Sequence, residues 1–289
     1  MIPEPAIDRL AAMFRSPDVT GTRYELVSVL GRGGMGVVHL ARDIVLDREV
    51  ALKIFDRPPG DANEARLIAR LEHPGIVPVH DFGELPDGRF FYAMKLVRGD
   101  RLDRWVAAGR DIGERLGVFL RVCETVAFAH AHGVIHRDLK PENVMVGEFG
   151  EVLVLDWGVA KERGVRDLFA AGAGTPAYMA PEQTHAAATI DERTDIFALG
   201  ALLEGIAGGA APVLAIARKA RSAAPSARYQ TVPALEAEVA RFLAGRAVEA
   251  HREPLFDRLV RVGRRYRLPI LLVVTYLLVR ILMLWLVRV

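Results

Sequence analysis

Between residues 24 and 55 the chain reads YELVSVLGRGGMGVVHLARDIVLDREVALKIF, with β-branched and aliphatic positions alternating with polar ones on either side of a glycine cluster. A period of two puts alternate side chains on opposite faces of a pleated ribbon, so this stretch predicts three antiparallel strands. The period then lengthens: apolar residues at 116, 119, 120, 123, 126 and 127 recur as one face of a helix, predicting a helix over Leu116–Ala131. After it, VIHRDLKPENVMV and VLVLDWGVAK set two short apolar strands around polar residues. The last pattern is a nearly unbroken apolar run. From Leu268 to Val289 the 22 residues LPILLVVTYLLVRILMLWLVRV carry no charge but Arg280 and Arg288.

About 20 apolar residues span a bilayer, so this run is long enough. Arg280 opposes insertion by about 3 kcal/mol, and the surrounding Leu, Ile and Val side chains each favour it by several tenths, which leaves the sum favourable. Just before the run, RLVRVGRRYR (258–267) holds five arginines and no acid. The positive-inside rule keeps that flank in the cytoplasm. The expectation is a single-pass protein of the cell membrane, with a basic juxtamembrane segment over 245–267, a transmembrane helix over 268–287 and everything N-terminal to them cytoplasmic. The competing reading is a helix lying on the membrane surface, in which Leu255, Phe256, Leu259 and Val260 face the lipid beside the arginines. Met1–Pro17 lacks the apolar core of a secretory signal, and residues 1–22 read as a short lead-in.

With 289 residues, the chain has room for about two domains or lobes. Its 51% hydrophobic and 26% charged residues exclude a disordered chain. Lys+Arg 38 against Asp+Glu 36 leaves a net charge of +2, so no global field calls for nucleic acid as a partner. A single cysteine, Cys123, excludes an intramolecular disulfide and a cysteine-rich zinc site, and reads as a buried apolar group in a reducing compartment.

Gly31, Gly33 and Gly36 form G-x-G-x-x-G, a weak signal until its surroundings are considered. A dinucleotide site would have the last glycine open a helix, whereas Val37, Val38 and Leu40 continue as strand. A Walker A loop would need Gly-Lys-Ser/Thr, which is absent. A glycine loop between two strands, with Lys53 emerging from the third, suits a flap whose backbone N–H groups close over phosphates. Downstream, Asp138, Lys140 and Asn143 put a carboxylate, an ammonium and a carboxamide within six positions, and Asp156 follows 18 residues after Asp138. These groups can position a hydroxyl, a phosphate and a hard metal ion, which is most of what phosphoryl transfer asks of a protein.

GRGGMGVV, VALK, HRDLKPEN, DWG, GTPAYMAPE and RTDIFALG stand in the order and approximate spacing of the eukaryotic-like (Hanks-type) serine/threonine protein kinases, which the chain resembles over Tyr24 to Leu243. The GGMG and MAPEQ wording is similar to bacterial membrane-attached members, and Lys140 to the serine/threonine branch. The resemblance implies an α+β bilobal fold over 23–244, with a small β-rich N-lobe (23–94) carrying one helix, a larger helical C-lobe (98–244), and ATP in the cleft. It implies that Gly31, Arg32, Gly33, Gly34, Met35 and Gly36 cover the nucleotide, that Val38, Ala51, Met94 and Met145 line its pocket, and that Lys53 holds the α/β-phosphates. It makes Asp138 the catalytic base, gives Lys140 to the γ-phosphate, and assigns Mg2+ to Asn143 and Asp156. Glu182 would pair with Arg228, and Asp195 and His136 would support the catalytic loop. Protein substrates and the membrane are the implied partners, with a homodimer left open.

Four departures from the family pattern stand out. Trp157 replaces the usual Phe of the magnesium loop. Glu64, expected to pair with Lys53, follows it by only eleven positions and sits in a capping-box context, Asp61-x-x-Glu64, so its helix would be shortened at the N-terminus. The stretch VAKERGVRDLFAAGA after Gly158 has no Ser, Thr or Tyr, so no phosphate there can activate the enzyme; the loop would be constitutively competent, or control would fall to Thr175 or to association at the membrane, unless Thr175 is a structural contact to Asp138 and Lys140. Only 27 residues lie between Gly200 and Arg228, so the helical insert at that point is trimmed. An active kinase is the reading that accounts for most residues. A pseudokinase that binds nucleotide or acts as a scaffold, and a small-molecule phosphotransferase of related fold, are the alternatives.

Overall fold

The computed structural model describes residues 17–33, 36–55, 70–157, 161–162, 175–184, 190–251 and 267–288. Gly34, Met35, Glu64 and the stretch 163–174 lie outside them, as do Leu255, Phe256, Leu259 and Val260. The three predicted strands form, as β1 (Tyr24–Gly33), β2 (Gly36–Asp43) and β3 (Arg48–Phe55). With β4 (Val79–Glu84) and β5 (Phe90–Lys95) they make an antiparallel sheet in the order β1-β2-β3-β5-β4. Register decides which side chains gather. Val38 lies opposite Lys53 and Lys53 opposite Tyr92, while Leu40, Ala51 and Met94 form the next row two residues along, on the same face. The intervening positions face the other way. Ala41, Val50, Leu52, Ile54, Phe91 and Ala93 pack there with Tyr24 and Leu85 into the smaller of two cores.

The larger core is helical. Strands β6 (Gly99–Arg101), β8 (Val144–Gly147) and β9 (Val152–Val154) form a small sheet, and β7 (Val134–Ile135) pairs with β10 (Lys161–Glu162). Around them stand α1 (Leu102–Ala107), α2 (Ile112–Ala131), α3 (Glu192–Ile206), α4 (Ala211–Ala220) and α5 (Val232–Leu243). Helix α2 starts four residues before the predicted Leu116 because Asp111 and Glu114 form a reciprocal capping box. Its buried face includes Leu116, Phe119, Val122, Cys123 and Val126, with Leu120 and Ala127 only partly covered. Cys123 is fully buried, and burial pushes its thiol well above the ordinary value, as expected for a packing residue.

Two close approaches fix the backbone. A Cβ on Gly36 would collide with the Ile54 carbonyl oxygen, and the residue takes φ +153°, so β2 can start beside β3 only with glycine. At Gly200 in α3 an added Cβ would lie 2.7 Å from the Ala220 Cβ, which is what lets α3 and α4 pack closely. The short connection after α3 is held by an ion pair. Arg228 donates from Nη1 to Glu182 Oε1 at 2.6 Å and from Nη2 to Oε2 at 2.8 Å, and spends its remaining donors on the carbonyls of Arg193, Ser222 and Ala223. Thr194 Oγ1 donates to the same Glu182 oxygen at 3.0 Å. Burial pushes the Glu182 carboxyl up, but the Arg228 hydrogen bond and charge outweigh this and hold it below its ordinary value. The chain ends in α6 (Arg267–Arg288), whose side chains are described at 271–280 and at Met283. Among the described residues no helix is long and apolar enough to cross a membrane.

Gly200→Ala should lower stability by about 1–2 kcal/mol: overpacking costs about 1–3 kcal/mol and the better helix propensity of alanine returns up to about 1. Thermal unfolding checks this, and an unchanged or higher Tm would mean that the helices can part freely. Arg228→Ala, which strands a largely buried carboxylate, should cost about 3 kcal/mol in denaturant unfolding near pH 7. The depressed Glu182 carboxyl stabilises the fold fully above its unfolded value near 4.5 and stops doing so as the pH falls through its lower folded value. The stability difference between the parent and Glu182→Gln should therefore be constant from pH 6 to 8 and shrink below about pH 4.5. A difference that persists unchanged into acid would place its origin elsewhere than in the charge.

Candidate active site

Asp195, fully buried in α3, anchors the polar loop that follows β7. Its Oδ2 accepts the His136 N–H and its Oδ1 the Arg137 N–H, both at 2.8 Å, and His130 Nε2 lies 2.7 Å from Oδ2. Burial pushes this carboxyl up, and the His130 hydrogen bond, helped by the Arg137 N–H, more than offsets that. Arg137 itself has φ +72°, a left-handed conformation that costs a non-glycine residue about 1–2 kcal/mol. It persists because its peptide is held from both sides: the N–H by Asp195, and the carbonyl by Gln183 Nε2 at 2.9 Å. His136 donates from Nε2 to the Leu155 carbonyl at 3.0 Å and accepts the Asp138 N–H at Nδ1, which sets its Nε2–H tautomer and makes it a brace for the loop.

So held, the loop presents Asp138. Its Oδ2 accepts from Lys140 Nζ at 2.6 Å and from Asn143 Nδ2 at 3.2 Å, and its Oδ1 from the Thr175 N–H at 3.1 Å. Lys140 Nζ also donates to Thr175 Oγ1 at 2.9 Å, so Thr175 makes the two structural contacts considered for it from the sequence. Asn143 sits in a 3-10 turn, Pro141–Asn143, which the Asp138 carbonyl closes by accepting Asn143 Nδ2 at 2.8 Å. Both neighbours of that nitrogen are acceptors, which leaves Asn143 Oδ1 as the free acceptor end. The Asn143 carbonyl in turn accepts the Leu155 N–H at 2.7 Å, tying the loop to the residue before Asp156.

Asp156 also has a left-handed backbone, φ +56°. Its Oδ1 accepts from Lys53 Nζ at 2.5 Å, across 103 positions of sequence, and this joins β3 to the catalytic loop. Lys53 is buried between Phe55 and Tyr92, whose ring centres lie 5.3 and 5.6 Å from Nζ, while the Asp156 side chain is 40% exposed. Burial pushes the Asp156 carboxyl up; the charge and hydrogen bond of Lys53, with smaller help from His136 and Lys140, hold it below its ordinary value. Beside it Trp157 is buried, donates Nε1–H to the Val154 carbonyl at 3.2 Å, and packs its ring 4.6 Å from that of His136. An indole at this place is thus accommodated, with its one polar atom satisfied.

Lys53, Asp138, Lys140, Asn143 and Asp156 are therefore linked by hydrogen bonds and one short stretch of backbone. Val38, Ala51 and Met94 share the sheet face that bears Lys53. Met145 on β8 alternates with the buried Val144 and Val146, which directs it away from the larger core. Gly31, Arg32 and Gly33 end β1 and Gly36 opens β2; an added Cβ at Gly31 or Gly33 would meet no protein atom closer than 4.0 Å, so these two are open to a ligand, whereas Gly36 is required by the sheet itself. Asp156 is the partner described for Lys53, and the Glu64 expected from sequence lies outside the described residues. The Gln183 clamp on Arg137 was also missed, having no signal at a separation of 46 positions.

The donors available to a metal are an amide oxygen and an ionised carboxylate, the hard oxygen pair that suits Mg2+. Residues 24–244 match the family described as protein kinase domain. The chain is 41% identical over 207 residues to the DNA damage-responsive serine/threonine-protein kinase RqkA of Deinococcus radiodurans, a match covering 66% of this chain and 30% of that protein. It is 35% identical over 221 residues to the serine/threonine-protein kinase PknD of Chlamydia felis (63% and 24% covered), and 34% over 285 to PknB of Mycolicibacterium smegmatis (81% and 45%). It spans less than half the length of each of these relatives. With its sheet register, buried loop anchor and clustered Lys53, Asp138, Asn143 and Asp156, the chain belongs to the protein kinase domain family.

Proposed function

We propose that the chain is a membrane-anchored serine/threonine protein kinase that moves the γ-phosphoryl group of ATP to Ser or Thr hydroxyls of proteins. The observation that carries this is the setting of Asp138: Lys140 and Asn143 donate to its Oδ2, and Thr175 donates to its Oδ1 from the N–H at 3.1 Å and the hydroxyl at 3.5 Å, so the carboxylate is oriented and a substrate hydroxyl need displace only that longest contact. A substrate hydroxyl bound there gives its proton to Asp138 as its oxygen bonds to the γ-phosphorus, and the bond from that phosphorus to the β-phosphate oxygen breaks, leaving ADP. Lys140, shared between Asp138 and Thr175, stands ready to meet the charge on the transferred group. Lys53 would exchange part of its bond to Asp156 for the α/β-phosphates. Mg2+ held by Asn143 Oδ1 and Asp156 would supply charge neutralisation on the phosphate oxygens. The serine/threonine choice rests on the named activity of the relatives and on Lys140.

The anchor is read from the full sequence, as the apolar run 268–287, some of whose side chains lie outside the described residues; as a helix its 20 residues would be about 30 Å long, against a hydrocarbon core of about 30 Å. Five arginines over 258–267 support a cytoplasmic kinase domain. A second copy of the chain stays a candidate partner, alongside the protein substrate.

The purified full chain in mild detergent, given labelled ATP, Mg2+ and a generic basic protein, should transfer phosphate to Ser and Thr. Asp138→Asn and Lys53→Met should each lower the rate at least about hundredfold. Nucleotide binding without transfer by the parent would instead make it a pseudokinase. Thr175→Val should lower kcat about ten- to hundredfold, the worth of a hydrogen bond to a charged group, with little change in KM for ATP, and Thr175→Ser should restore it. If Thr175→Ser restores nothing, or activity depends on phosphate mapped to Thr175, its role is regulatory and not positional.

A further inference from the structure

Arg280 is the feature of α6 that the anchor leaves without a use. The apolar side chains from Leu271 to Val279 are 46–69% exposed, so the described residues do not cover this part of the helix. Arg280 is exposed as well, and among the described residues it makes no ion pair. The run 268–289 contains no Asp or Glu, so the helix cannot neutralise it. Arg280 lies 13 residues after Arg267 and eight before Arg288, about 20 and 12 Å along the axis. With Arg267 at one edge of a core of about 30 Å, the Arg280 Cα sits about 10 Å inside the other. Snorkelling serves long side chains near helix ends, and here Arg288 already occupies that end.

A second copy of the chain is a poor partner for this face. A parallel pair would bring two arginines together at one depth in a medium that does not screen them. What fits is a carboxylate, which the planar guanidinium can grip with two hydrogen bonds. Tyr276 stands one turn before Arg280 on the same face and adds a hydroxyl to that grip. We propose that α6 pairs within the bilayer, through Arg280, with a transmembrane helix of a different protein that carries one Asp or Glu near its midpoint. This rests on the membrane-spanning reading of α6 and deepens it: the helix selects a partner as well as anchoring the kinase.

The test reconstitutes the full chain in phosphatidylcholine vesicles with a biotinylated leucine-alanine transmembrane peptide bearing a single midpoint Asp, or Leu in its place. After gentle solubilisation, streptavidin should recover about tenfold more of the chain with the Asp peptide than with the Leu peptide. Arg280→Leu should abolish that preference, Arg280→Lys should keep part of it, and phosphoryl transfer should be the same in all three. Equal recovery by both peptides, or a preference that survives Arg280→Leu, overturns the proposal. A carbonate wash separates the two levels. A chain released from the vesicles overturns the spanning reading and the pairing with it, while a chain that stays but shows no preference overturns the pairing alone.

Discussion

One buried carboxylate sets the geometry of the site. Asp195 has no solvent to face, and it is charged because two backbone N–H groups and His130 take up its oxygens. The bonds run in both directions: they make the charge tolerable in the core, and they fix the peptides of His136 and Arg137 in a conformation that Arg137 would not choose alone. Everything that faces substrate follows from those peptides. Asp138 comes next in the chain, Lys140 and Asn143 brace its carboxylate, and His136 reaches across to the strand that leads to Asp156.

The second constraint is the joint between the two cores. The antiparallel register places Lys53 on the sheet face that looks away from the smaller core, and burial makes an anionic partner obligatory. Asp156 meets that need from the segment after β9. It keeps two-fifths of its own side chain open, so the lysine is satisfied while the carboxylate retains room for another ligand. Both left-handed residues of the site, Arg137 and Asp156, sit where hydrogen bonds from other elements hold them. That is where strain can be sustained in a folded protein.

Much of this was legible in the sequence because the chemistry is local. HRDLKPEN places its carboxylate, ammonium and amide within one short loop, and alternation over 24–55 fixes which strand residues share the face of Lys53. Asp195 and the Glu182–Arg228 pair were read correctly through the family pattern. What was not legible depends on contacts between distant segments. Nothing in the local sequence of Lys53 points to an aspartate 103 positions away, and Gln183 is an ordinary polar residue until the fold brings it under the Arg137 carbonyl. Gly36 carries a second requirement that the sequence did not show: contact with the Ile54 backbone demands a glycine there, whatever it does for a nucleotide.

The indole at position 157 has an optical consequence. The chain has three tryptophans: Trp105 lies beside Arg110 near the surface, Trp285 belongs to the terminal helix, and Trp157 is buried next to Asp156 with its ring against His136. A phenylalanine there would be nearly silent in emission. With tryptophan, any rearrangement of the Asp156 backbone or the His136 ring changes the surroundings of a built-in fluorophore, and the chain carries its own reporter beside the Lys53–Asp156 joint.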